Sequence, residues 1–165
     1  MSIRMKFTLI ISIIFIFILY TNAKPKEPNL VPYTLLEQGE NVIPEKRNIE
    51  IEILTSQTSF EDFYGMIHKG NVPKPPPPEV DFTESAILFI SYGEQKTAGY
   101  SINVRSVFKK NGTLIVKAVL ISPPQDVFTA QVITNPYVLL TVPVGDYSRV
   151  ELRNNIGEVL DFKNL

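Results

Sequence analysis

From Ser85 to the C-terminus, turn residues cut the chain into short apolar or alternating runs about every eight to twelve positions, with no second helical stripe between them. Ala86–Tyr92 (AILFISY) is apolar at nearly every position, the pattern of a central strand buried on both faces. Tyr100, Ile102 and Val104 alternate with Ser101, Asn103 and Arg105, so the next strand has one apolar face. Asn111-Gly112 is a strong hairpin signal and joins a strand ending near Phe108 to Thr113–Ile121. Pro123-Pro124 then breaks the chain. Val127–Ile133 and Tyr137–Val142 read as two further strands around Thr134-Asn135-Pro136. Tyr147–Leu152 and Glu158–Phe162 supply terminal strands around Asn154-Asn155-Ile156-Gly157.

Upstream, Ile49–Leu54 alternates strictly, with Ile49, Ile51 and Ile53 on one face and Glu50 and Glu52 on a solvated one. The one convincing helix covers about residues 59–69. Phe60, Phe63, Tyr64 and Ile67 form its apolar stripe, and Gly70 sits where a C-cap belongs. Its capping box is expected at Thr58 with Glu61, or at Ser59 with Asp62. Pro75–Pro78 favour a stiff polyproline spacer to the next strand. Many short strands and a single helix argue against a βαβ architecture. The expectation is a mainly β fold, an antiparallel sandwich or barrel-like sheet with one packed helix.

The N-terminus carries Arg4 and Lys6, an uncharged run from Phe7 to Tyr20, and the small-residue site Thr21-Asn22-Ala23. That is the plan of a secretory signal peptide over residues 1–23, and the run is shorter than the roughly 20 residues of a membrane-spanning helix. The alternative is an uncleaved N-terminal anchor, the only route by which this chain is expected to meet a membrane. Either way Lys24–Leu165 is expected outside the cytoplasm, secreted or in the cell envelope. Residues 24–48 read as an extended, proline-containing tether and lead-in, and residues 49–165 as a single β domain.

The chain has no cysteine, which excludes disulfides, thiolate metal ligands and lipobox lipidation. Losing Arg4 and Lys6 with the signal takes two of the 16 basic residues and leaves 17 acidic ones, a net charge of about −3. No basic run follows a phosphate backbone, so nucleic acid is not an expected partner. No HExxH, EF-hand, P-loop or dinucleotide pattern occurs, and no metal or cofactor is expected. His68 is the sole histidine, at the end of the helix, where a structural role is expected. Ser91 in Phe89-Ile90-Ser91-Tyr92-Gly93 lacks the leading glycine and following helix of a nucleophile elbow. Asp81 is expected to cap the turn before Phe82. No catalytic set emerges, and an enzyme is not expected.

The loop Gly93–Tyr100 is the place to look for function. Its two glycines permit sharp bends, Lys96 and Thr97 fall near the tip, and Tyr100 offers a large amphipathic contact surface. A plain hairpin turn with Tyr100 packed on the core is the competing reading. Three motifs here resemble the PrcB family, named for a protease complex subunit. They are Pro77-Pro78-Glu79-Val80-Asp81-Phe82, Gly93-Glu94, and Thr97-Ala98-Gly99-Tyr100-Ser101. Ala98 departs from the family turn, where a glycine stands. The resemblance runs loosely from about Glu50 to Leu152. It implies an exported, non-catalytic partner of a protease or surface complex, which would dock through an edge strand or through this loop, with Lys96, Thr97, Ala98, Gly99 and Tyr100 as the candidate protein-binding residues. The same loop also looks like the Asn-Pro-Thr-Thr-Gly-Tyr loop of chagasin-type protease inhibitors, though the Asn-Pro is absent here. An inhibitor is therefore the second reading. A ligand-holding barrel ranks last, because strands as apolar as Ala86–Tyr92 imply a filled core.

Overall fold

The computed structural model describes residues 29–40 and 48–165. The signal or anchor reading of residues 1–23 lies outside them. The elements are strands β1 (Asn29–Leu30), β2 (Thr34–Gly39) and β3 (Glu50–Leu54), helix α1 (Gln57–Ile67), and strands β4 (Ser85–Ser91), β5 (Ser101–Lys110), β6 (Thr113–Ile121), β7 (Tyr137–Pro143), β8 (Arg149–Arg153) and β9 (Val159–Asn164). They form two sheets. Sheet A has the order β1-β5-β6-β8-β9, and sheet B the order β2-β7-β4-β3. Neither closes into a barrel, so of the two expected forms the sandwich is the one found.

The continuous apolar run explains the layering. Ala86, Leu88 and Ile90 of β4 face the space between the sheets with Leu140, Val116 and Leu152. Ile87 and Phe89 face the other way, under Phe60, Tyr64 and Ile67 of α1. β4 is thus the middle of three layers, helix on sheet B on sheet A, and both of its faces are dry. Phe63 meets the Phe89 ring edge-on at 4.7 Å, a geometry that suits the ring quadrupoles. Val80 and Phe82, at the end of the proline spacer, pack onto the same helix cluster.

The helix begins two residues earlier than its expected start. Ser56, in extended conformation, is the N-cap, and its hydroxyl accepts from the Ser59 amide at 3.3 Å. Ser56 stands two and three residues ahead of the two expected capping boxes, and a hydroxyl there satisfies an otherwise orphan N–H. His68 ends the helix, and Gly70 lies beyond it at φ 97°. Asp81 makes the expected turn, its carboxylate accepting from the Thr83 amide at 2.9 Å and hydroxyl at 2.6 Å. Those bonds hold its pKa below the ordinary carboxylate value. The Asn111-Gly112 hairpin forms as expected, both residues having positive φ, 51° and 76°.

Three features depart from the sequence reading. Val127–Ile133 is loop, not strand, because neither sheet has a vacancy beside it. β6 is already flanked by β5 and β8, and β7 by β2 and β4. β8 pairs parallel to β6 within otherwise antiparallel sheets, since the chain visits sheet B as β7 before returning. The described part of the lead-in is hydrogen-bonded into the domain. β1 pairs with β5, Pro32 follows, and β2 then joins sheet B beside β7. Tyr33, between them, donates to the Val104 carbonyl at 3.1 Å and ties the two sheets on that side. On the other side Asp161 of β9 accepts from the Ile51 amide of β3 at 2.9 Å.

If β4 is the shared floor of both cores, Phe89→Ala should be among the costliest truncations. Its side chain is fully buried, and the loss expected in urea unfolding is about 3–5 kcal/mol.

Candidate protein-binding loops

The β4–β5 and β6–β7 connections meet at one end of the sandwich and bind each other. Gly93 turns the chain away from β4 at φ 81°, and its amide donates to the Ser91 hydroxyl at 2.9 Å. Ser91 in turn donates to Asn135 Oδ1 at 2.6 Å, a buried bond that ties the roots of both loops. Tyr92 N donates to the Pro136 carbonyl at 2.8 Å, and Gln95 and Thr134 exchange backbone bonds of 2.8 and 2.9 Å. The Ala98 amide donates to the Ala130 carbonyl at 3.0 Å, and the Thr134 hydroxyl to the Thr97 carbonyl at 3.1 Å. Gly99 has φ 93°, and a Cβ there would also stand 3.1 Å from Pro123 Cβ, so backbone angle and space both call for glycine.

This geometry locates each residue singled out in the sequence. Lys96 and Gly99 are exposed, whereas Thr97, Ala98 and Tyr100 are half-buried. Tyr100 packs edge-on to Tyr92 at 5.5 Å, so its ring serves the loop as well as the surface. Ala98 keeps negative φ, which makes the departure from the glycine of the family turn harmless. The Thr97 carbonyl and the Ala98 amide are taken by the neighbouring loop.

The neighbouring loop supplies apolar surface that sequence reasoning assigned to a strand. Phe128 is fully exposed, at 105% of its reference area, and Val127, Val132 and Ile133 are about half exposed. Large apolar side chains exposed together within one seven-residue segment are a feature of interaction sites. The available signal was the pair of proline boundaries, Pro123-Pro124 and Pro136, which isolate the run from both neighbouring strands.

The segment that holds both loops is also the one that compares with known proteins. Residues 86–143, from the first residues of β4 to the end of β7, match the family model described as PrcB C-terminal. Over this segment the chain is similar to the PrcB C-terminal family. The match leaves out α1, β3 and β8, and so is narrower than the resemblance seen from about Glu50 to Leu152. It suggests a protease-complex-associated domain. No curated protein and no solved structure matches the chain.

A second polar cluster lies where β2 meets α1, outside the matched segment. Glu37 accepts from the Tyr64 hydroxyl at 2.9 Å and from the Tyr137 hydroxyl. His68 Nε2 stands 2.9 Å from the same carboxylate, and Asn71 Nδ2 lies 3.1 Å from His68 Nδ1. An amide N–H₂ can only donate, so the ring proton is assigned to Nε2, facing Glu37. The histidine thus has a partner, supplied by a strand the sequence reading placed in the lead-in. Gly39 makes room for this group, since a Cβ there would meet the Tyr137 hydroxyl at 2.6 Å.

Burial, then the hydrogen bond and charge of Glu37, push the Tyr64 pKa from 10.0 to about 12. The Tyr137 pKa moves in the same direction for the same reasons, with the Tyr64 charge adding to it. Above pH 10 the unfolded chain loses these protons while the folded chain keeps them, so stability falls as pH rises. The contribution is complete below pH 10 and disappears as pH passes the folded value of about 12. In melting experiments from pH 9 to 12, Tyr64→Phe should flatten part of the alkaline decline seen in the unaltered protein. An identical slope in both would contradict the Glu37 tie.

Proposed function

We propose that this is an exported, non-catalytic binding domain that assists the assembly or stability of a protease or surface complex. It docks through the end formed by the Gly93–Tyr100 loop and Val127–Ile133. The observation that carries the reading is the fully exposed Phe128 on a loop fixed by hydrogen bonds to its neighbour. A fixed loop loses little conformational entropy on binding, and an exposed aromatic on it suits an interface centre. The family match supports the kind of partner, because both loops lie within residues 86–143. The setting of His68 supports a structural role, with Glu37 and Asn71 flanking the ring between α1 and β2. Export rests on the Arg4–Ala23 pattern.

A protease inhibitor is the second reading, favoured by the exposure of Lys96 and Gly99 at a loop tip. The two differ in consequence. An assembly partner raises the yield or lifetime of its protease, whereas an inhibitor blocks a purified protease at equimolar amounts.

The test is affinity capture of the protease complex from the host envelope, comparing the unaltered protein with Phe128→Ser/Val132→Ser. Both positions are exposed, so the melting temperature should not change. Recovery of the complex is expected to fall at least tenfold. Equal recovery by both proteins would place the interface elsewhere, and equimolar inhibition of the purified protease would favour the inhibitor.

A further inference from the structure

Helix α1 covers the outer face of sheet B, but among the described residues no helix covers the outer face of sheet A. Strand register sorts that face into three rows. The first holds Lys110, Thr113 and Arg149, the second Phe108, Ile115, Glu151 and Phe162, and the third Ser106, Lys117 and Arg153. An apolar row with one carboxylate therefore lies between two basic rows. Glu151 is nearly buried, and Arg153 grips its Oε2 through Nε at 2.8 Å and Nη2 at 2.6 Å. Arg149 Nε stands 2.7 Å from Oε1, at an angle too bent for a hydrogen bond. Rings hold two cations to the face, with Arg149 3.7 Å above Phe162 and Lys117 5.7 Å from Phe108.

Four cations thus face one carboxylate that is already engaged, on a chain whose net charge is −1. The excess is local and faces solvent over a concavity of about 380 Å³ bordered by Phe108, Ile115, Lys110, Lys117 and Arg153. This asymmetry favours an acidic occupant. The row spacing narrows it further. Alternate residues on a strand are about 6.6–6.8 Å apart, so the basic rows stand about 13 Å apart with the apolar row midway. An extended peptide repeats that spacing at i, i+2 and i+4.

We propose that the outer face of sheet A docks an extended acidic segment of a partner protein, bearing two carboxylates that flank an apolar side chain at alternating positions. The carboxylates meet Lys110 with Arg149 on one side and Lys117 with Arg153 on the other, and the apolar side chain lies between Phe108 and Phe162. Glu151 shows that this guanidinium geometry takes a carboxylate. A membrane surface fits less well, because the face is a concavity with two of its four cations held over rings and with no apolar wedge to insert. The face lies some 20–25 Å along β5 from the paired loops, so it is independent of them.

The test uses the full chain in mild detergent and a fluorescent, end-blocked peptide containing Asp-Ser-Phe-Ser-Asp, read by anisotropy at low and physiological salt. Binding that weakens with salt, and at least tenfold in Lys110→Glu/Lys117→Glu, is expected. Lys69→Glu/Lys74→Glu changes the net charge equally on the helix side and should leave affinity within twofold. Equal loss in both variants would reduce the effect to overall charge and overturn the proposal. So would equal binding of a peptide with its phenylalanine replaced by serine. Binding to phosphatidylglycerol vesicles or heparin with none to the peptide would overturn it in favour of another anionic occupant.

Discussion

The burial of β4 on both faces is the constraint from which the rest of this structure follows. A strand with Leu88 and Ile90 on one face and Ile87 and Phe89 on the other cannot sit at a surface. It needs a sheet against one side and a second apolar layer against the other, and among the described residues α1 is the element whose apolar stripe provides it. β7 is its counterpart in the same sheet, with Leu140 facing inward and Tyr137 and Leu139 under the helix. Once these two strands fill the centre of sheet B, the connections leaving them at one end must turn together, and the paired loops result.

The edges of the sandwich are closed by side chains as much as by strands. Tyr33 on the Val104 carbonyl and Asp161 on the Ile51 amide each satisfy a backbone group that an open edge would offer to another chain. Glu37 does the equivalent work for the helix layer. It draws Tyr64, Tyr137 and His68 to one carboxylate and thereby fixes β2 against α1.

Much of this was legible in the residues, for reasons that can be named. The unbroken apolar run of β4, the alternation of β3 and β5 and the Asn-Gly turn each report a local requirement that the fold left intact. The errors come from non-local competition. Val127–Ile133 has the composition of a strand, but the edges it would need are occupied by β8 and β2, which no local pattern reveals. Lead-in residues 29–39 carry weak periodicity because β1 pairs over only two residues and β2 lies at an edge. For the same reason Glu37 could not be matched with His68 from sequence. Of the candidate loop, Lys96 to Tyr100 were visible through their glycines and tyrosine. The apolar half was hidden inside a presumed strand.

The functional account therefore depends less on a single motif than on two loops that hold each other rigid and leave one aromatic ring in solvent. Its central claim is that this ring contacts a protease or surface complex. The most direct measurement places a photo-crosslinking amino acid at position 128 in the native host and identifies what it captures on irradiation. The account predicts a covalent adduct with a subunit of such a complex, and none from the same probe at position 61 on the helix. Adducts from position 61 but not 128 would contradict it and move the interface to the helix layer.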